Sequence, residues 1–132
     1  MLNIFPIQFL APLAYTLLRV VLGFIFIRFG IIHITKRDSL KHILTFPQRR
    51  FGLFFTWFLI FAELLIGILF LLGFLTQIAA LLSIILSIKM ILLHKRFIHP
   101  CIPSTLTYTL MLLISLSLFI TGAGYLAFDL PL

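Results

Sequence analysis

Glu63 stands at the middle of an apolar run, Phe51 to Leu72, that holds no other charged residue. A carboxylate near a bilayer centre costs roughly 3 kcal/mol or more, so it normally pairs with another side chain or lines a polar cavity. Arg19 and Lys89, each inside a different apolar run, are its candidate partners, and the trio would carry one net positive charge. Such a cluster could brace a helix bundle without chemistry. It could instead bind a polar head group such as a quinone carbonyl, relay a proton, or move an ion or solute. These readings stay open on the residues alone.

Other chemistry-bearing residues are sparse. His33, His42, His94 and His99 gather toward one end of the chain's topology, but no pair has a metal-ligand spacing on a helix and only Asp38 joins them, so no metal site is expected. Cys101 is the single cysteine, which excludes an intramolecular disulfide. There is no phosphate loop, nucleophile elbow or Cys-x-x-Cys. A self-sufficient enzyme is not indicated.

The elements that must position Glu63 follow from composition. Of 132 residues, 63% are hydrophobic and 10% charged, with a mean hydropathy of +1.29, outside the range of soluble domains. Four runs can cross a hydrocarbon core of about 30 Å: residues 12–34, 51–72, 76–93 and 104–121. They are apolar on all faces rather than alternating, so helices are required and a β-barrel is excluded. The expectation is one all-α domain, an integral membrane four-helix bundle. No basic region or cleavage site precedes the first run, so it is expected to remain in the protein.

The formal net charge of +7 sits mostly between runs one and two and between runs three and four. That distribution fits membrane orientation rather than nucleic-acid binding. With four spans, the positive-inside rule puts the basic loops 35–50 and 94–103 in the cytoplasm and both termini outside. Within the first loop, residues 39–46 alternate apolar and polar in a way that suits either a short surface helix or a solvated loop. The link Gly73 to Gln77 is so short that the second and third helices must be antiparallel neighbours.

Faces and depth then sort the charges. At 100° per residue, Arg19, Gly23, Phe26, Gly30 and His33 share a stripe about 80° wide, whose glycines mark the protein-facing side of the first helix. Arg28 points the opposite way and can snorkel to the headgroups. On the third helix Ala80, Ser83, Ser87, Met90 and His94 share a face that reads as a packing surface, while Lys89 projects elsewhere. Counting about 1.5 Å per residue from the outer surface puts Arg19 near 10 Å, Glu63 near 15 Å and Lys89 near 20 Å deep, so Glu63 could reach either base.

With these residues placed, the chain resembles the DoxX family of small four-helix membrane proteins of bacteria and archaea. Three segments carry the likeness: LLRVVLGFIFIRFGIIHI (17–34), with Arg19, Gly23 and Gly30; AELLIGILFLLGFLTQIAALL (62–82), with Glu63, Gly67, Gly73, Thr76 and Ala80; and GAGYLAFD (122–129). His33 stands where a lysine is common in the family, and Gln77 where an arginine is frequent. The basic residue usual within the third segment is missing.

The resemblance implies a small accessory or subunit of a quinone-linked redox system in a bacterial or archaeal cytoplasmic membrane, not an autonomous enzyme. It further implies a quinone as ligand; because no residue set in the chain would hold a haem, flavin or iron–sulfur cluster, no covalently bound cofactor is expected and a redox partner protein would supply the electrons. Arg19, Glu63 and Lys89 would form the polar site, with His33 and Gln77 near it and Gly23, Gly30, Gly67 and Gly73 packing the helices. The bilayer is a partner, a homo-oligomer is possible in principle, and nucleic acid is not. The alternatives are a non-catalytic structural or assembly protein and a small proton-coupled or solute transporter.

Overall fold

The computed structural model describes residues 11–38, 52–96 and 104–121. Among them are helices α1 (Ala11–Thr35), α2 (Gly52–Leu72), α3 (Thr76–Arg96) and α4 (Thr105–Thr121). The fold is all-α. Helices α1, α2 and α3 are long and apolar enough to span a membrane, and α4, at 17 residues, is a shorter apolar helix beside them.

Local chemistry sets the helix ends. α1 finishes as the Lys36 N–H donates to the Ile32 carbonyl at 3.0 Å and the Thr35 hydroxyl donates to the Ile31 carbonyl at 2.8 Å. α2 closes in a glycine-terminated cap: Gly73, with φ of 66°, donates its N–H to Phe70 O, and Phe74 donates to Leu69 O. Leu75 also has a positive φ, 49°, and its carbonyl accepts the first bond of α3 from the Ala79 N–H. This three-residue turn makes α2 and α3 antiparallel neighbours, as the short link requires. α4 starts with Ser104 as its cap, the hydroxyl accepting from the Thr107 N–H at 3.4 Å.

One boundary differs from the sequence reading by more than a single residue. α3 continues to Arg96, so His94, Lys95 and Arg96 belong to its last turn rather than to a loop. Lysine and arginine are good helix formers, favourable near a helix C-terminus, and their stems can lie along apolar surface. Residues 39–46, Cys101 and the tail from Gly122 lie outside the described residues.

The helices form two close pairs, α1 with α2 and α3 with α4. Sparser approaches, α2 to α3 and α1 to α4, close the bundle, and the diagonal pairs make no close backbone contact. Large side chains fill the wider seams: Phe26, Phe70, Met90, Tyr108 and Met111 are all buried. The α1–α2 pair can be close because glycine meets glycine. A β-carbon at Gly67 would stand 2.9 Å from the Gly23 carbonyl oxygen, and one at Gly23 would stand 3.0 Å from the Gly67 carbonyl oxygen.

The distribution of polarity is that of a membrane protein. Large apolar side chains such as Phe24, Phe58, Phe61, Leu92 and Ile120 are exposed around the bundle, while Arg19, His33, Glu63, Ser83, Ser87 and Ser115 are buried within it. In water so extensive an apolar exterior would aggregate; against lipid tails it is solvated.

Candidate functional site

The glycine contact that sets the stagger of α1 against α2 also decides what Glu63 meets. Gly23 lies against Gly67 and Leu71, and Gly30 against Leu64, so moving along α1 from Gly23 corresponds to moving back along α2 from Leu71. His33, in the last turns of α1, therefore arrives level with Glu63. Their side chains are joined: His33 Nδ1 and Glu63 Oε2 are 2.5 Å apart, with both residues fully buried. A contact this short between an imidazole nitrogen and a carboxylate oxygen requires a proton between them.

Each partner keeps one buried atom unspent. His33 Nε2 and Glu63 Oε1 have no hydrogen-bond partner among the described residues. α4 contributes a third such group: Tyr108 is fully buried and its hydroxyl also lacks a partner among the described residues. The rings of Phe29 and Tyr108 have centroids 5.9 Å apart, and those of Phe29 and His33 6.4 Å apart, so Phe29 is the apolar wall between α1 and α4 here.

α3 adds Ser87, buried and with a hydroxyl that again has no partner among the described residues. Its level is fixed by the Ser83–Ser115 hydrogen bond, 2.5 Å long, which ties α3 to α4. Ser115 donates onward to the Met111 carbonyl, so Ser83 is the donor between the two hydroxyls. From that bond, toward the end marked by Lys36, Arg37 and Lys95, Ser87 lies about 6 Å and Tyr108 about 10 Å along their antiparallel axes at 1.5 Å per residue. All four helices thus bring an unsatisfied polar atom to the same region of the interior. An array of this kind can donate to and accept from a polar guest, and its imidazole–carboxylate pair can exchange a proton with one.

The other expected site residues lie elsewhere. Arg19 is buried and engaged, but it sits one turn beyond Gly23, about 21 Å along α1 from His33 at 1.5 Å per residue. It does not reach Glu63. The depth count set the four spans flush with one another; the glycine contact instead slides α1 so that about 16 Å of it extends past the end of α2. Lys89 is exposed, with its Nζ 5.6 Å from the centre of the Phe55 ring, and so faces outward near the first turn of α2. Gln77 is exposed in the first turn of α3. Gly23, Gly30 and Gly67 are at helix contacts, and Gly73 is the turn residue.

Sequence reasoning placed His33 on the protein-facing stripe without joining it to Glu63, and it overlooked Tyr108. The signal for the tyrosine was its position on one helical face with Met111, Ser115 and Leu118, all buried.

A family model described as DoxX matches residues 14–96, which takes in α1, α2 and α3 with His33, Glu63 and Ser87. The tail segment 122–129 lies beyond the matched residues. No match was found among curated proteins or among solved structures.

Proposed function

The chain belongs to the DoxX family of membrane proteins, and from that premise we propose that it serves as a small subunit or accessory of a quinone-linked redox system, with His33, Glu63 and Tyr108 as its polar site. The observation that carries the reading is the buried His33–Glu63 pair with His33 Nε2, Glu63 Oε1 and the Tyr108 hydroxyl all unsatisfied beside it. An N–H and an O–H donor in an apolar interior suit the two carbonyl oxygens of a quinone, so the residues fit that group.

A quinone when bound supplies a two-electron, two-proton couple. The chain's own residues would bind and orient it and handle the protons: Tyr108 and His33 donate hydrogen bonds, and the proton held between His33 Nδ1 and Glu63 Oε2 is the one the site can give up or regain. Phe29 packs against both His33 and Tyr108 and supplies an apolar flank for the ring of the guest. The electrons would come from a partner redox protein docked on the membrane surface. In this reading the protein resides in a bacterial or archaeal cytoplasmic membrane with its basic ends in the cytoplasm, and association with a second copy is compatible with it.

The test is binding of a ubiquinone or menaquinone analogue to detergent-purified protein, comparing wild type with Glu63→Gln, His33→Leu and Arg19→Gln. Saturable binding that is weakened in the first two variants and kept in the third supports the site. Absence of binding, or binding unchanged by Glu63→Gln and His33→Leu, removes the quinone reading.

A second reading has its own support. Because His33 and Glu63 join α1 to α2 directly, the pair can act as a register lock alone, in a structural or assembly protein. It predicts lowered stability in both variants with no ligand affinity to lose.

A further inference from the structure

The buried groups of the interior are unevenly arranged along the bundle. Moving from the His33–Glu63 level toward the Gly73–Leu75 turn, the next layers are apolar and closed. Phe26 and Phe70, both fully buried, meet with ring centroids 6.2 Å apart, and Leu22, Ile66, Ala79, Ala80 and Leu118 are buried around them. The serines of these layers, Ser83 and Ser115, satisfy each other and the Met111 carbonyl, and the polar residues buried beyond them, Arg19, Thr16 and Thr76, are engaged in interactions of their own. Moving the other way, toward Lys36, Arg37 and Lys95, polar atoms continue: Ser87 Oγ, the Tyr108 hydroxyl and then His94 Nδ1, each without a hydrogen-bond partner among the described residues.

Ser87 and His94 lie on one face of α3, two turns apart. Tyr108 on the facing helix falls between their levels, about 4 Å past Ser87 and 6 Å short of His94 at 1.5 Å per residue. His94 is half-buried and precedes the exposed Lys95 at the end of α3, so it stands at the mouth of this series. Groups of this kind at membrane depth face protein or a water-filled recess, and here the steps between them are longer than a hydrogen bond.

We propose that the His33–Glu63 pair exchanges protons with one face of the membrane only, the face at the basic end, along a hydrated path past Tyr108, Ser87 and His94 that the Phe26–Phe70 layer closes on the other side. This deepens the reading of the pair as a protonic site and rests on it. The step is proton hopping: hydronium at the basic face protonates one ring nitrogen of His94 and is left as water, and the imidazolium releases a proton from its other nitrogen. Hydroxyls and intervening water pass it on, each carrier giving up one proton as it takes one and so returning to its starting state. The groups facing the path are His33 and Glu63 from α1 and α2, His94 from α3 and Tyr108 from α4. Lys89 is exposed outside the bundle and takes no part.

The experiment is cysteine accessibility in reconstituted full-length protein carrying Cys101→Ser. A thiol reacts with a charged thiosulfonate as the thiolate, which needs water at the site. Ser87→Cys is compared with Ala80→Cys, one pair of turns toward the closed side, while Lys36→Cys reports which face of the vesicle is the basic end. The expected result is modification of Ser87→Cys from the Lys36→Cys face at least roughly tenfold faster than from the opposite face, and roughly tenfold faster than Ala80→Cys from either, as a one-sided aqueous recess requires. Ser87→Cys that is protected from both faces but reacts once unfolded in detergent overturns the proposal, as does faster reaction from the opposite face. If Ser87→Cys does not reconstitute, Met90→Cys, on the same buried face, carries the same comparison. No quinone is present in the labelling, so a failed path and a failed quinone site are told apart.

Discussion

Gly23 and Gly67 face each other across α1 and α2 so closely that each occupies the space the other's β-carbon would need. The contact fixes the stagger of the two helices, and the stagger is what brings His33 to Glu63. The three glycines at this interface are not equivalent. At Gly67 a methyl would meet the Gly23 carbonyl oxygen at 2.9 Å and the Ile27 backbone nitrogen at 3.1 Å, neither of which can move without the helix. At Gly30 the closest atoms, 2.7 and 2.8 Å away, belong to the Leu64 side chain, which can change rotamer. Gly67→Ala should therefore destabilise the bundle by about 1–3 kcal/mol and Gly30→Ala by less, with Gly23→Ala between, in thermal unfolding of purified protein. An equal effect at all three positions would contradict the backbone contact.

Breaking the His33–Glu63 pair from one side should cost more than removing it altogether. His33→Leu leaves a buried carboxylate without its partner, a loss of roughly 3–5 kcal/mol unless the group takes up a proton. His33→Leu combined with Glu63→Leu leaves no buried charge and should recover most of that loss. A double-mutant cycle in detergent measures the coupling, and a double variant as unstable as the sum of the two singles would refute the contact.

Arg19 gives the opposite expectation. It is buried and engaged, so Arg19→Gln should lower stability, but with about 21 Å of helix between it and His33 the effect should add to that of Glu63→Gln within about 0.5 kcal/mol. The same cycle run on this pair is the check. Strong coupling would restore the direct Arg19–Glu63 interaction that the sequence suggested.

These cases show what the sequence made legible. Helix number, the α2–α3 hairpin and the buried stripe Arg19, Gly23, Phe26, Gly30, His33 could all be read, because span length and a 3.6-residue period are local properties. The partner of Glu63 could not. Apolar runs give helix lengths but not how far one helix slides past the next, and a shift of a few turns exchanges Arg19 for His33 opposite the carboxylate. Facing side mattered equally for Lys89: it falls inside a span, yet it projects outward over Phe55. Tyr108 went unnoticed because an uncharged phenol among leucines and threonines carries no strong signal until another helix places Glu63 near it.

Because Lys89 touches an aromatic face at the surface, Lys89→Met should change stability by no more than about 1 kcal/mol and leave any ligand affinity as it was. Melting temperature and analogue binding measured on one preparation decide this. A loss of binding would return Lys89 to the site.

Tyr108→Phe separates a ligand-facing group from a packing group more sharply, because its two effects should have opposite signs. The hydroxyl is buried with no partner among the described residues, so only water or a guest can satisfy it; deleting it breaks no contact within the described bundle and should leave the free protein as stable as wild type or more so. If the hydroxyl donates to a bound guest, the same change costs about 1 kcal/mol of binding, close to fivefold in Kd. Ser83→Ala is the contrasting substitution: its hydroxyl is already satisfied by Ser115, so its removal should lower stability by about 0.6 kcal/mol and leave binding alone. Unfolding and quinone-analogue titration of both variants test the crossing. If Tyr108→Phe is destabilised like Ser83→Ala and binds normally, the tyrosine is a strut, and the donors of the site reduce to His33 and its proton.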